Sequence, residues 1–242
     1  MDTAEERLAE VWTQIDQVMD PELDQSVRAL GFVAEVATTG LDVRLVLRLP
    51  TYWCSPNFTY MMMQDLRDVV SRLPWVQSVE LQLQDHESQA VLNRGIARHE
   101  TFQDMFPDAT GDLAELRQIF KEKAFYGRQK HLLERLMARG VTVSEWAPGR
   151  WKEVRFLAHG SDEDQTAFHR YQDIVRYWNL PQADEDPVVV RLNHKAVTPQ
   201  GWLRYWHELR LVSLNMEASA HICRGLLAVR YAPAAMSSTR VP

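Results

Sequence analysis

The run LPTYWCSPNF, residues 49 to 58, constrains this chain more than any other stretch. A β-rich apolar segment, LDVRLVLRLP, runs out there and a helical one, NFTYMMMQDLRDVVSRL, begins. Ser55 is a natural N-cap, and Pro56 suits the first helical position, where its missing N–H costs nothing. The chain must therefore turn from strand to helix around Cys54. After the helix stops near Pro74, VQSVELQLQ alternates Val76, Val79, Leu81 and Leu83 as a strand does. Upstream, FVAEVATT and DVRLVLRL flank TTGL, with Gly40 at the tip of a hairpin. AEERLAEVWTQIDQV places Leu8, Val11, Trp12, Ile15 and Val18 at helical spacing, and Asp20-Pro21 ends that helix. The order is α-β-β-α-β, closing near Asp85.

Beyond residue 88 the character changes. SQAVLNRGIARHETFQDMF is weakly helical, and GDLAELRQIFKEKAFYGRQKHLLERLMARG supports two helices or one continuous one, ending at Gly140. DEDQTAFHRYQDIVRYWNL lines up Phe168, Tyr171, Ile174, Val175 and Trp178 on one helical face. PVVVRL reads as a short strand. Thr198 and Pro199 open a helix whose stripe, Trp202, Tyr205, Trp206 and Leu209, reads as core, and NMEASAHICRGLLAVRY continues it or forms another. The tail APAAMSSTRVP reads as irregular. The expected fold class is α+β: a small α-β-β-α-β domain with a three-stranded sheet and helices on one face, residues 1–88, then a mainly α-helical extension, residues 89–242, with a linker near 86–100.

Charge separates the two parts as well. Residues 1–88 hold 15 Asp/Glu and 6 Arg with no Lys, a net of −9, whereas residues 89–242 hold 21 Lys/Arg and 18 Asp/Glu, a net of +3. The acidic part lacks the clustered cations that nucleic acid binding requires. No run of about 18 apolar residues suggests a membrane span. Two cysteines in 242 residues make no disulfide framework, and the first residues lack the basic start and apolar centre of a secretory leader. A cytoplasmic location is the expectation.

Cys54, placed just before a helix N-terminus, meets unpaired N–H groups and the positive end of the helix dipole, an environment suited to the thiolate that binds metal or attacks electrophiles. The same position also suits a small residue packed into a tight turn. Asp20 and Glu22 form a carboxylate pair able to hold iron or orient a partner, or else a helix stop in a solvated turn. Tyr52, Trp53, Phe58 and Met61 belong to an apolar cluster around the turn, part core and part docking surface, since Met-rich surfaces adapt to partners. Glu217 and His221 are spaced i, i+4, which serves metal ligation or an ordinary ion pair. Cys223 points elsewhere on that helix and reads as a small buried residue. A metal shared between Cys54 and the His221/Cys223 region requires the two parts to pack face to face. No H-E-x-x-H, C-x-x-C or phosphate-cradling glycine loop occurs.

The pieces VMDPELDQSVRALGFVAEV, LRLPTYWCSPNF and SRLPWVQSVELQL resemble, in order and spacing, the small iron–sulfur cluster assembly domain of SufT-like and PaaD-like proteins. Asp20, Pro21, Glu22, Leu30, Gly31 and Cys54 fall on that family's marked positions. Three positions differ: Ala29 stands where the family has Asp, Ser55 separates Cys54 from Pro56, and Pro50 stands where the family has Thr. On the sequence alone the carboxylate and the hydroxyl that would attend the thiol are missing.

The resemblance implies a non-enzymatic maturation factor that assists delivery of iron or an iron–sulfur cluster, with no permanently bound cofactor or only a transient iron or cluster. Its partners would be a client metalloprotein or other assembly factors. The PaaD-like relatives imply a client among bacterial multicomponent oxygenases with a non-haem di-iron subunit. The alternative is a metal-free folding or docking adaptor, with Cys54 as packing. A third reading, an enzyme with Cys54 as nucleophile, lacks a His or acid in the local sequence to act as base. The sequence leaves the oligomeric state open.

Overall fold

The sheet is organised by the hairpin and the strand-to-helix turn. In the computed structural model, which describes residues 3–142 and 149–232, α1 (Ala4–Ile15) leads to β1 (Val33–Thr39) and β2 (Asp42–Arg48). Then come α2 (Pro56–Val70) and β3 (Ser78–Gln84). The sheet order is β1-β2-β3. β2 pairs antiparallel with β1 across the Gly40 turn and parallel with β3 in the register Asp42↔Ser78 to Arg48↔Gln84. A parallel pair needs a crossover, and α2 supplies it. The α-β-β-α-β order is as the sequence predicts.

The pleat sorts the residues. Val43, Leu45, Leu47, Leu81 and Leu83 lie buried against Val11, Ile15, Met62, Met63, Leu66 and Val70. Full burial of each Leu or Met side chain contributes about 1.5–3 kcal/mol. On the alternate positions Arg44 reaches Glu35 and Gln82, and Arg48 reaches Gln84. Helix α1 ends three residues earlier than the apolar spacing suggests, and Val18 is buried in the loop beyond it. Thr3 caps α1 with Glu6 in a reciprocal capping box. Ser55 does not cap α2: its hydroxyl donates to Asn57 Oδ1 at 2.6 Å, and Pro56 alone marks the start.

Further helices are α3 (Gln89–Ala97), α4 (Phe102–Met105), α5 (Leu113–Ala138), α6 (Trp151–Val154), α7 (Asp162–Tyr177) and α8 (Trp202–Arg230). The 114–138 region is one continuous helix. PVVVRL forms no strand: Pro187 and Val190 make only isolated bridges, to Arg150 and Ala196, and the three valines 188 to 190 are buried. The tail from residue 233 onward lies outside the described residues.

Two compact units emerge, residues 1–113 with 218–242, and residues 114–217. The first extends past residue 88, where the sequence placed its boundary, because Leu92, Ile96 and Ala220 are buried in the same core as the sheet. In the second unit Trp151 stacks on Tyr171 at 5.6 Å and packs with Phe125, Phe168, Trp202, Tyr205 and Leu209. Gln129, fully buried there, donates to the Tyr171 hydroxyl and to Val190 O and accepts from the Tyr205 hydroxyl.

Candidate functional site

Parallel pairing brings the C-terminal ends of β2 and β3 to one edge of the sheet. Two loops therefore meet there: the Tyr52–Cys54 turn after β2 and the Asp85–Ser88 loop after β3. Glu87 N–H donates to Tyr52 O at 3.0 Å. His86, only 3% exposed, accepts the Ser88 N–H on Nδ1 at 3.0 Å, so its proton sits on Nε2 and is donated to Cys54 O at 2.7 Å. Burial holds this imidazole below its usual pKa, which keeps that neutral tautomer. His86 thus fixes the backbone that presents Cys54.

Cys54 is half-buried and free. Its Sγ lies 3.3 Å from Thr51 Oγ1. That hydroxyl accepts the Trp53 N–H at 3.3 Å, which leaves its own proton available to the sulfur. Comparison of family positions put Pro50 in the hydroxyl's place. The structure supplies a hydroxyl all the same, from Thr51, three residues before Cys54.

Asp20 is buried, 7% exposed, not in a solvated turn. Its Oδ1 accepts the N–H groups of Glu22 at 2.9 Å and Leu23 at 2.8 Å, which folds the Asp-Pro-Glu turn. Burial pushes its carboxyl up to about 6, against those two hydrogen bonds. Glu22 is exposed.

The distal cysteine comes to this neighbourhood. The C-terminal half of α8 packs in the first unit, with Ala220 buried in the core and Cys223 and Leu227 against it. Arg224 donates to Gln25 Oε1 at 2.6 Å, and Arg230 donates to Leu49 O and Asp85 O, at the ends of β2 and β3. Burial pushes the Cys223 thiol up, and the acidic groups Asp20 and Glu22 act on it in the same direction. Cys54 and Cys223 both pack against the core of the first unit, whereas Glu217 belongs to the second. Glu217 pairs with Lys130 at 3.2 Å, and His221 is exposed. The ion pair that Glu217 makes is with Lys130, where the i, i+4 spacing had paired it with His221.

The turn also carries the aromatic pair of the sequence-derived docking patch. Tyr52 and Trp53 are exposed, the latter at 69%, and meet edge to face at 4.9 Å. Phe58 is half-buried. Met61 is fully buried, so it offers nothing to a partner. His86 and Thr51 escaped the sequence reading. Thr51 stands three residues before Cys54, but His86 becomes visible only once β2 and β3 are known to run parallel.

Among the described residues no three of His, Cys, Asp and Glu converge to hold a metal ion. Iron–sulfur clusters are usually held by four thiolates.

Residues 8–81 match the family model described as iron–sulfur cluster assembly protein. This segment, which spans α1 to the middle of β3, belongs to that domain family, and the match supports a general role in iron–sulfur cluster assembly. No curated protein and no solved structure matches the chain. No helix of the described residues is long and apolar enough to cross a membrane.

Proposed function

We propose that this protein is a maturation factor that passes iron or an iron–sulfur cluster to a client protein, with Cys54 as the contact to the cargo. The observation that carries the reading is the Cys54 turn, pinned by His86, with a hydroxyl at its sulfur and an exposed aromatic pair beside it. One thiolate makes a labile attachment, and the remaining coordination positions stay with the donor and then with the client. Transfer is then an exchange of ligands in which Cys54 is replaced by a client residue. Tyr52 and Trp53 give the client an apolar hold next to the sulfur. The client in this proposal is a multicomponent oxygenase with a non-haem di-iron subunit, and residues 114–217 take part in recognising it.

Protein purified without oxygen and analysed for iron and sulfide, with and without Cys54→Ser, tests the thiol. Loss of metal in the variant is expected, and equal metal in both overturns the role. Iron content of the oxygenase from cells lacking this protein tests the client, and unchanged content rejects it. The exposed Tyr52–Trp53 pair also favours a second reading, a docking adaptor that carries no metal. An adaptor keeps its function in Cys54→Ala and loses it in Trp53→Ala.

A further inference from the structure

A pocket of about 360 Å³ opens within the first unit, between the C-terminal half of α8, the start of β1 and the end of β2. Three local features make the space. Gly31, at φ +78°, presents no Cβ to Leu227. A bulge between Val33 and Glu35 takes Ala34 out of the β1–β2 ladder. At the end of α8, Arg224, Leu227, Ala228 and Tyr231 follow one another at i, i+3, i+4 and i+7, the spacing of one helical face.

Two guanidinium groups line this pocket, and neither is neutralised. Arg48 gives Nε and Nη2 to Gln84 Oε1, and Arg224 gives Nη1 to Gln25 Oε1. Both acceptors are uncharged amides. Among the described residues neither arginine forms an ion pair, and Arg48 Nη1 and Arg224 Nη2 have no protein acceptor. This runs against the local trend, since residues 1–88 carry a net charge of −9. Arg48 is also held in place: its guanidinium lies 5.1 Å from the centre of the Tyr231 ring, and that of Arg230 lies 5.3 Å from it. A guanidinium fork with spare donors matches the oxygens of a carboxylate or a phosphate, and a fork already fixed loses little freedom on binding. Leu227, Ala228 and the Tyr231 ring add an apolar wall beside the charges. We propose that this pocket binds a small organic oxyanion, with its carboxylate or phosphate between Arg48 and Arg224 and its carbon skeleton along α8. The volume lies at the lower end for ligand sites, which fits a metabolite-sized molecule. The site stands whether or not Cys54 carries a cargo.

Titration calorimetry of the full chain at constant ionic strength tests this, with citrate and phenyl phosphate as the probes. Saturation by one molecule per chain is expected for at least one of them, with a Kd at or below about 1 mM. Binding of citrate alone assigns the site to carboxylates, and binding of phenyl phosphate alone assigns it to phosphate esters. Arg48→Gln with Arg224→Gln should weaken the interaction at least about tenfold, since charged hydrogen bonds are lost. Ala228→Glu, at an exposed position, sets a carboxylate on the pocket wall and should weaken it as much while the melting curve stays that of the parent. Arg72→Gln with Arg98→Gln removes two exposed cations of the same unit outside the pocket and should leave the affinity unchanged. The proposal is overturned if neither probe saturates by about 10 mM. Equal affinity in the Arg48, Arg224 variant, or an equal loss in the Arg72, Arg98 variant, overturns it as well.

Discussion

His86→Phe isolates the physics of the Cys54 turn. The imidazole makes two hydrogen bonds in a nearly water-free position, to Cys54 O and from Ser88 N–H. Each contributes about 0.5–1.5 kcal/mol, and stranding the backbone groups costs a further ~1–3 kcal/mol, so the loss should be on the order of 2–4 kcal/mol. Phe fills similar volume, which separates this loss from a cavity. Urea unfolding at pH 7.5 measures it. In a Cys223→Ser background the rate of maleimide labelling at Cys54 should also rise several-fold, because the turn is no longer held. The pH dependence supplies an independent check. The lowered His86 pKa means that the unfolded chain takes up this proton first, so stability falls as pH drops below about 6.5, by at most 1.36 kcal/mol per pH unit. That slope should vanish in His86→Phe when both proteins carry Asp20→Asn. A midpoint within 0.5 kcal/mol of the parent, with unchanged labelling and unchanged slope, would refute the assignment of His86 as the clamp.

Three further outcomes can be checked. Asp20 has a folded pKa of about 6 against 3.8, so its contribution is fully present below pH 3.8 and is lost as pH rises through 6. Asp20→Asn, which keeps the Oδ1 acceptor, should therefore raise stability at pH 8 by up to ~3 kcal/mol and by little at pH 4. Gly31 has φ of +78°, and a Cβ there would stand 3.2 Å from Leu227 Cδ2. Gly31→Ala should cost about 1–2 kcal/mol from the backbone alone, read by urea unfolding, and Gly31→Ala with Leu227→Ala should not recover it. Gln129→Leu takes the shared partner from Tyr171 and Tyr205 and should cost ~1–3 kcal/mol, measured by thermal unfolding.

The first unit was legible where local chemistry and periodicity agree. Pro56 marked the strand-to-helix turn, Gly40 the hairpin, and the alternation of Val79, Leu81 and Leu83 the last strand. The site was legible at Cys54, Asp20 and Glu22, whose positions carried the family resemblance. It was illegible at His86, whose role depends on which strands lie parallel. Cys223 was harder still. It joins the core of the first unit from about two hundred residues further along the chain, and the C-terminal half of α8, unlike its Trp202–Leu209 stretch, has no apolar stripe to reveal which side is buried. PVVVRL failed for a related reason, since a short apolar run buried by helices reads like a buried strand.

The first unit is assembled from residues 1–113 and from residue 218 onward. During synthesis at ~5–20 residues per second, its sheet emerges on the order of ten seconds before the C-terminal half of α8. For that interval Gly31 has no Leu227 above it, and the carbonyls of Leu49 and Asp85 await Arg230. A nascent chain caught then would display its thiol turn unfinished, so only the completed polypeptide brings the second sulfur into place.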